Sequence, residues 1–119
     1  MNYANNHSNR QRRVLLIYTG GTIGMGMNPR TGALEPLDFG HLIKNVSEFS
    51  YLNTEIETYQ FSQPIDSSDM SPRLWAQLVR IIADKYEQYD GFVVLHGTDT
   101  MAYTAPALSF MLENLTKPV

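Results

Sequence analysis

Two threonine hydroxyls lie in short glycine-containing polar segments where they could act as nucleophiles. Thr22 lies in residues 19–24 (Thr-Gly-Gly-Thr-Ile-Gly), and Thr98 lies in residues 96–100 (His-Gly-Thr-Asp-Thr) beside Asp99. A threonine hydroxyl attacks a carbonyl carbon once an adjacent base takes its proton. The glycines near Thr22 leave backbone N–H groups free to stabilise an oxyanion. The Asp99 carboxylate could hold an ammonium group or orient a base.

A third polar segment, residues 66–69 (Asp-Ser-Ser-Asp), comes just before a predicted helix. Hydroxyls and free N–H groups at a helix N-terminus attract a carboxylate. Ser67 and Ser68 are therefore candidates for binding the carboxylate of a substrate. This segment could bind the carboxylate of an amino acid, and the Asp99 carboxylate could bind its ammonium group. Together with the threonine hydroxyls, these groups favour an amino-acid substrate.

The residues of each segment could also have a purely structural role. Residues 19–24 could form a tight turn, and residues 66–69 could form an ordinary capping loop. Asp99 or Thr98 could cap the helix that follows. His96 is either a general base or a structural histidine whose ring nitrogens are hydrogen-bonded within the protein.

A nicotinamide-dependent oxidoreductase is a further alternative for the first segment. The spacing found in short-chain dehydrogenases is matched by Thr19, Gly20, Gly24 and Gly26. Such a site needs a helix directly after the glycines, because the helix N-terminus binds the pyrophosphate. Residues 25–36 contain two prolines and two glycines, which prevent a long helix there. The sequence therefore disfavours a dinucleotide site.

The elements that must position these segments alternate between strand and helix. Continuous apolar runs predict buried strands at residues 14–18 and 91–95, and β-favouring residues predict a strand at 54–61. Apolar residues at helical spacing predict helices at 72–88 and 103–115. This alternation predicts an α/β fold, a three-layer, mostly parallel sheet with helices on both faces. Ligands of such sheets bind at the carboxyl ends of the strands.

Smaller features of the sequence predict how these elements begin and end. Residues 25–37 show no periodicity and are predicted to form a loop. Asp38 is predicted to cap a short helix, and Ser71 to cap the helix that begins at Pro72. Trp75 lies on the apolar stripe of that helix, which favours core packing over ligand stacking.

Composition excludes several classes of function. The chain has 119 residues, a formal net charge of −3 and no cysteine. An acidic balance disfavours nucleic-acid binding, and a chain without cysteine has no disulfides, no catalytic thiolate and no cysteine-bound zinc. The three histidines are scattered, and no apolar run approaches the roughly 18 residues of a membrane span. Residues 1–12 are polar and are predicted to be a disordered tail.

The three polar segments together resemble those of bacterial-type L-asparaginases, most closely the cytoplasmic type I branch. The motifs are Thr-Gly-Gly-Thr-Ile-Gly at 19–24, Asp-Ser-Ser-Asp-Met at 66–70 and His-Gly-Thr-Asp-Thr-Met at 96–101. The stretch from 89 to 115 is similar as well. The resemblance covers residues 13–119 and implies an asparaginase-like N-terminal domain in truncated form.

The resemblance implies hydrolysis of L-asparagine to L-aspartate and ammonia, with L-glutamine as a possible second substrate. Thr22 would be the nucleophile that forms an acyl-enzyme. Thr98 would be the second catalytic threonine and would act with a lysine and with Asp99, which would also bind the substrate ammonium group. The substrate-binding set implied by the resemblance is Asp66, Ser67, Ser68, Thr98 and Asp99. No metal, organic cofactor, nucleic acid or membrane is implied.

The sequence departs from the family pattern in two places. Ala33 stands where the family's lid tyrosine is expected, and Tyr18, on the preceding strand, is not assumed to replace that tyrosine. Lys117 is not the catalytic lysine, which the family carries further along the chain, before a smaller C-terminal domain. The resemblance therefore implies that residues 13–119 are part of a cytoplasmic, homo-oligomeric L-asparaginase and are inactive alone. A truncated chain that only binds an amino acid is the non-enzymatic alternative.

Overall fold

The computed structural model describes residues 10–119, which form eight helices and strands joined by short 3₁₀ turns. In chain order these are β1 (Arg12–Tyr18), β2 (Met25–Met27), β3 (Leu34–Pro36), α1 (Phe39–Lys44), β4 (Thr54–Gln60), α2 (Pro72–Lys85), β5 (Gly91–Leu95) and α3 (Met101–Met111). The 3₁₀ turns lie at Thr22–Gly24, Ser47–Tyr51, Ser67–Asp69 and Tyr86–Gln88.

The centre of the fold is a parallel sheet in the order β4-β1-β5. β1 pairs in parallel with both neighbours, so that Tyr18 lies opposite Gln60 on one side and opposite Leu95 on the other. The residues of β1 from Leu15 to Tyr18 are all buried, as expected for a central strand covered on both faces. The predicted α/β fold with a parallel sheet is confirmed, and the carboxyl ends of all three strands meet at one edge.

Helices cover both faces of this sheet. Successive side chains of β1 point to opposite faces, so the strand contributes to a separate hydrophobic cluster on each side. On one face, Leu15 and Ile17 join a cluster with α2 and α3 that includes Leu78, Ile82, Phe92 and Leu108. On the other face, Leu16 and Tyr18 pack against Phe39 of α1. This gives the three-layer arrangement that the sequence predicted.

The helices begin largely where their capping residues predicted. The Asp38 side chain accepts a hydrogen bond from the backbone N–H of His41, and Ser71 is the N-cap of α2 with Pro72 in the first turn. The helix predicted at 103–115 is shorter in the structure, because α3 ends at Met111 and Leu112 is extended. The N-cap of α3 is Thr100. The alternative that Asp99 or Thr98 caps this helix is therefore wrong.

The prediction of an unstructured loop at residues 25–37 is wrong, because β2 and β3 form an antiparallel hairpin there. The turn closes when the backbone N–H of Asn28 donates to Ala33 O at 2.8 Å. The Asn28 side chain also accepts from the backbone N–H of Arg30 at 2.8 Å, and Gly32 has a left-handed φ of 69°. Three-residue strands are too short to show alternation in a sequence, which explains the error.

At the amino ends of the strands, polar side chains tie the chain start to the sheet. β1 begins at Arg12, the last residue of the predicted tail, and Arg10 pairs with Asp90 at 2.7 Å. The prediction of disorder otherwise falls on residues 1–9, which lie outside the described residues. Within residues 10–119, no helix is both long and apolar enough to cross a membrane.

Candidate active site

Three loops meet at the carboxyl edge of the sheet, and these are the segments with candidate catalytic and binding residues. The first loop follows β1, the second precedes α2, and the third follows β5. The parallel pairing of β1 with β4 and β5 brings the three together. The predicted convergence of these segments at one edge is therefore present in the structure.

The first and second loops touch through their backbones at Gly20. A Cβ atom at Gly20 would lie 2.0 Å from Ile65 O and 2.6 Å from Ile65 N. Beside this contact, the backbone N–H of Ile65 donates to Thr19 O at 2.8 Å. Only glycine leaves room for the second loop at this position.

The first and third loops touch beside the two candidate threonines. A Cβ atom at Gly21, which precedes Thr22, would lie 3.4 Å from the Cα of Gly97, which precedes Thr98. Thr19 joins the same loops, because its backbone N–H and its hydroxyl both donate to Leu95 O, at 3.1 and 2.9 Å. The glycine-rich segments therefore bring the backbones next to Thr22 and Thr98 close together.

The second and third loops are joined through Ser67. The Thr100 hydroxyl donates to Ser67 O at 2.7 Å, and the Ser67 side chain packs against Gly97. Ser67 is 5% exposed, so its observed role is to hold two loops together. Ser68 is exposed, and its hydroxyl donates to the Asp66 carboxylate at 2.9 Å.

Asp66 organises the second loop through its carboxylate. It is the N-cap of the 3₁₀ turn Ser67–Asp69 and accepts a hydrogen bond from the Ser68 backbone N–H at 2.9 Å. That backbone bond, together with the Ser68 hydroxyl, holds the pKa of the Asp66 carboxyl below its usual value. The capping explanation is confirmed for Asp66, and the ionised form is favoured.

The side chains proposed to react are accessible. Thr22 begins the 3₁₀ turn Thr22–Gly24, and Thr22, Thr98 and Asp99 are all exposed. Across residues 10–119, none of these three side chains has a hydrogen-bond partner within the protein. Their hydroxyl and carboxylate oxygens are therefore available to a ligand at the same edge of the sheet.

Tyr18 supports the first loop from below. Its hydroxyl donates to Gly21 O at 2.6 Å, and its ring stacks on Phe39 with centroids 4.7 Å apart. Tyr18 is fully buried, and this burial raises the pKa of its phenol. It is a structural residue beneath the loop rather than a lid. Sequence reasoning missed this role, although a buried tyrosine hydroxyl generally needs a hydrogen-bond partner.

Three other sequence-based expectations can be compared with the structure. Residues 19–24 lead into a single 3₁₀ turn and then β2, so no helix follows to bind the pyrophosphate of a dinucleotide. Ala33 is exposed in the β2–β3 turn. The Lys117 ammonium lies over the Tyr86 ring, 4.7 Å from its centroid, and the carbonyl of the next residue, Pro118, accepts from the backbone N–H of Phe92 near the beginning of β5. Lys117 is thus at the end of β5 opposite to Thr98, as expected for a lysine outside the site.

Among residues 10–119 there is no group of three or more histidine, cysteine or carboxylate side chains arranged to hold a metal ion. The described site carries hydroxyls, carboxylates and backbone N–H groups. These are the groups found on the three loops.

Comparison with known proteins identifies the family of this site. The family model described as Asparaginase, N-terminal matches residues 13–119. The chain belongs to the asparaginase family. Among curated relatives of this asparaginase-family chain, L-asparaginase 1 of Escherichia coli K12 is 43% identical over 114 residues, covering 92% of this chain and 33% of the relative. A 60 kDa lysophospholipase of mouse is 42% identical over 131 residues, covering 92% of this chain and 23% of the relative.

Solved structures agree with this assignment. L-asparaginase I from Vibrio cholerae has a TM-score of 0.81 and 42% identity, covering 92% of this chain and 32% of that structure. A probable cytoplasmic L-asparaginase from Campylobacter jejuni has a TM-score of 0.63 and 36% identity, covering 79% and 27%. The asparaginase-family chain thus spans about a third or less of the length of these relatives.

Proposed function

We propose that this chain contributes the threonine-bearing part of the active site of an L-asparaginase, which hydrolyses L-asparagine to L-aspartate and ammonia. The observation that carries the proposal is the close approach of Gly21 to Gly97, where an added Cβ would lie 3.4 Å from the Gly97 Cα, so that the loops bearing Thr22 and Thr98 lie side by side. The family membership and the names of the E. coli and V. cholerae relatives support this substrate.

In the proposed reaction, the Thr22 hydroxyl attacks the side-chain amide carbon of the substrate and ammonia leaves, forming an acyl-enzyme. Thr98 assists together with a lysine and Asp99, and water then hydrolyses the ester to release aspartate. The exposed Asp99 carboxylate suits the substrate ammonium group. Free backbone N–H groups of a glycine-rich loop suit the oxyanion, where one donor can contribute about 3–4 kcal/mol.

The binding of the substrate α-carboxylate is proposed for the second loop. Ser68 and the backbone of the 3₁₀ turn Ser67–Asp69 offer donors there, and Asp66 holds that turn in shape. Because Ser67 is buried against Gly97, we assign the exposed contact to Ser68 rather than to the Ser67 hydroxyl. Ser67 acts by fixing the position of the loop.

The test is ammonia release from L-asparagine by the protein at its natural length. L-glutamine is assayed in parallel, and so is a lysophospholipid, because one relative is named as a lysophospholipase. We expect asparagine hydrolysis, with kcat reduced roughly 10³-fold or more in Thr22→Ala and in Thr98→Ala. Thr54→Ala is the control, since Thr54 begins β4 at the opposite edge of the sheet.

Two results would contradict this proposal, and a third would contradict the expectation that residues 1–119 are inactive alone. Wild-type turnover of lysophospholipid without ammonia release from either amino acid would reject amide hydrolysis. Unchanged kcat in both threonine variants would reject the assigned catalytic residues. Release by residues 1–119 alone would show that no lysine beyond residue 119 is required, contrary to our expectation that this chain is inactive by itself and at most binds the amino acid.

We further propose that the protein acts in the cytoplasm as a homo-oligomer without a metal or organic cofactor. The cytoplasmic assignment is supported by the description of the C. jejuni relative and by the resemblance to the type I branch. Light scattering on the protein at its natural length tests the oligomer, and activity retained after dialysis against a chelator tests the absence of a metal.

A further inference from the structure

His96 lies at the end of β5, next to the third loop, and both of its ring nitrogens have partners. Nδ1 is 2.6 Å from Gly97 O, and Nε2 is 2.9 Å from the Thr104 hydroxyl of α3. The indole Nε1 of Trp75, on α2, donates to the same hydroxyl at 2.9 Å. Thr104 is 3% exposed, so these hydrogen bonds lie inside the protein.

With a neutral His96 ring, the chemistry of each group gives the direction of every bond in this network. A carbonyl oxygen only accepts, so the proton lies on Nδ1 of His96 and is donated to Gly97 O. In a neutral ring protonated at Nδ1, Nε2 carries no proton and accepts from the Thr104 hydroxyl, which in turn accepts from the Trp75 indole N–H, a group that only donates. The hydrogen bonds therefore run in one direction, from Trp75 through Thr104 and His96 to Gly97.

The end point of this network is the peptide group that joins Gly97 to Thr98. A peptide group is planar, and residues 10–119 contain no cis peptide bond. Holding the Gly97 carbonyl therefore sets the direction of the Thr98 N–H and the position of the Thr98 Cα. The other end of the same loop is held by Thr100, whose hydroxyl donates to Ser67 O.

We propose that His96 is a positioning residue for Thr98, with Thr104 and Trp75 holding its ring in the Nδ1-protonated tautomer. The proposal rests on the function proposed above, because the positioned hydroxyl is the one assigned to asparagine hydrolysis. His96 is not a general base, since both ring nitrogens are engaged within the protein. The structural explanation of His96 is thus the one that the geometry supports.

The kinetic test compares pairs of variants in the protein at its natural length. Asn places an amide donor near the position of Nδ1, whereas Gln places its amide near the position of Nε2. We expect His96→Gln to lower kcat for asparagine by roughly 10- to 100-fold with KM changed less than about threefold, because small displacements of a reacting group cost rate. His96→Asn is expected to stay within about threefold of wild-type kcat.

A second pair separates the hydroxyl of Thr104 from its packing. Thr104→Val keeps the shape and removes the hydroxyl, so we expect the same loss of kcat as in His96→Gln. Thr104→Ser keeps the hydroxyl and is expected to restore most of the kcat. Equal kcat in the valine and serine variants, or a change in KM alone, would overturn the proposal.

A readout independent of activity is the ring tautomer, measured by ¹⁵N nuclear magnetic resonance of labelled histidine. We expect Nδ1-protonated His96 in the wild type, and a shift of the Thr98 amide resonance in Thr104→Val that Thr104→Ser does not show. An Nε2-protonated ring would overturn the positioning proposal whatever the activity. The expected tautomer and Thr98 shift in a protein that releases no ammonia would instead reject only the proposed function.

Discussion

Replacing Gly20 by alanine tests the contact between the first and second loops most directly. The added Cβ would lie 2.0, 2.6 and 2.8 Å from the O, N and C atoms of Ile65. All three are backbone atoms, so no side-chain rotation can relieve the overlap. The backbone at Ile65 must move by about 1 Å or more, which also breaks the 2.8 Å bond from Ile65 N–H to Thr19 O.

The expected cost of Gly20→Ala follows from these two losses. Overpacking costs about 1–3 kcal/mol, and loss of one hydrogen bond costs about 1 kcal/mol. The free energy of unfolding should therefore fall by about 2–4 kcal/mol. With a urea dependence of about 2 kcal/mol/M, the unfolding midpoint should fall by roughly 1–2 M.

Gly32→Ala is the matched control. Gly32 has a positive φ of 69°, as Gly20 has one of 158°, but a Cβ at Gly32 would have no neighbour within 4 Å. Only the left-handed backbone penalises alanine, at about 1 kcal/mol, so the midpoint should fall by roughly 0.5 M. Urea unfolding of both variants at the natural length provides the comparison. If Gly20→Ala lowers the midpoint no more than Gly32→Ala does, the proposed loop contact is wrong.

Three further predictions concern side chains near the site and the sheet. Tyr18→Phe removes the bond to Gly21 O and should lower the free energy of unfolding by about 1–2 kcal/mol in urea titrations; no change would mean that the tyrosine hydroxyl does not hold the first loop. Burial, and then the hydrogen bond to Glu57, raises the pKa of Tyr89 to about 12. The contribution of Tyr89 to the free energy of unfolding should therefore be fully present below about pH 10, the pKa of an unfolded tyrosine, and should be lost between pH 10 and 12. Thermal unfolding of Tyr89→Phe should show a smaller alkaline step, with the rest due to buried Tyr18, whose pKa is also raised, and a step of identical size in both proteins would contradict the assignment. The hydrogen bonds from Ser68 depress the pKa of Asp66, so the second loop should keep its order above about pH 4 and lose it as the pH falls further. The Ser68 amide resonance reports this change, and a titration of that resonance at or above pH 4 would contradict the prediction.

The main elements of the fold were predictable because their patterns are local. The apolar run that predicts β1 spans only a few consecutive residues. The helical pattern of α2 likewise rests on residues three or four positions apart, such as Leu78 and Ile82. The hairpin of β2 and β3 was missed, since its stability comes from paired backbone groups and from the turn that Asn28 and Gly32 allow.

The site was predictable in its residue types and less so in its contacts. Thr22, Thr98 and Asp99 were predicted as catalytic residues from their motifs, and that role stays a prediction; the structure leaves them exposed on adjoining loops. Ser67 looked like a ligand-binding hydroxyl, but it is buried where two loops meet. Sequence shows that a hydroxyl is present, whereas its accessibility depends on what the chain folds against it.

The sequence by itself therefore determined the kinds of elements, the edge of the sheet where the three polar segments meet, and the asparaginase family. The tertiary structure decided which loops touch, that Tyr18 supports Gly21, and how His96 is held by Thr104. The physical reason is the range of the interactions. Propensity and periodicity act over a few neighbouring residues, whereas Thr19 and Leu95 meet only because β1 lies between β4 and β5.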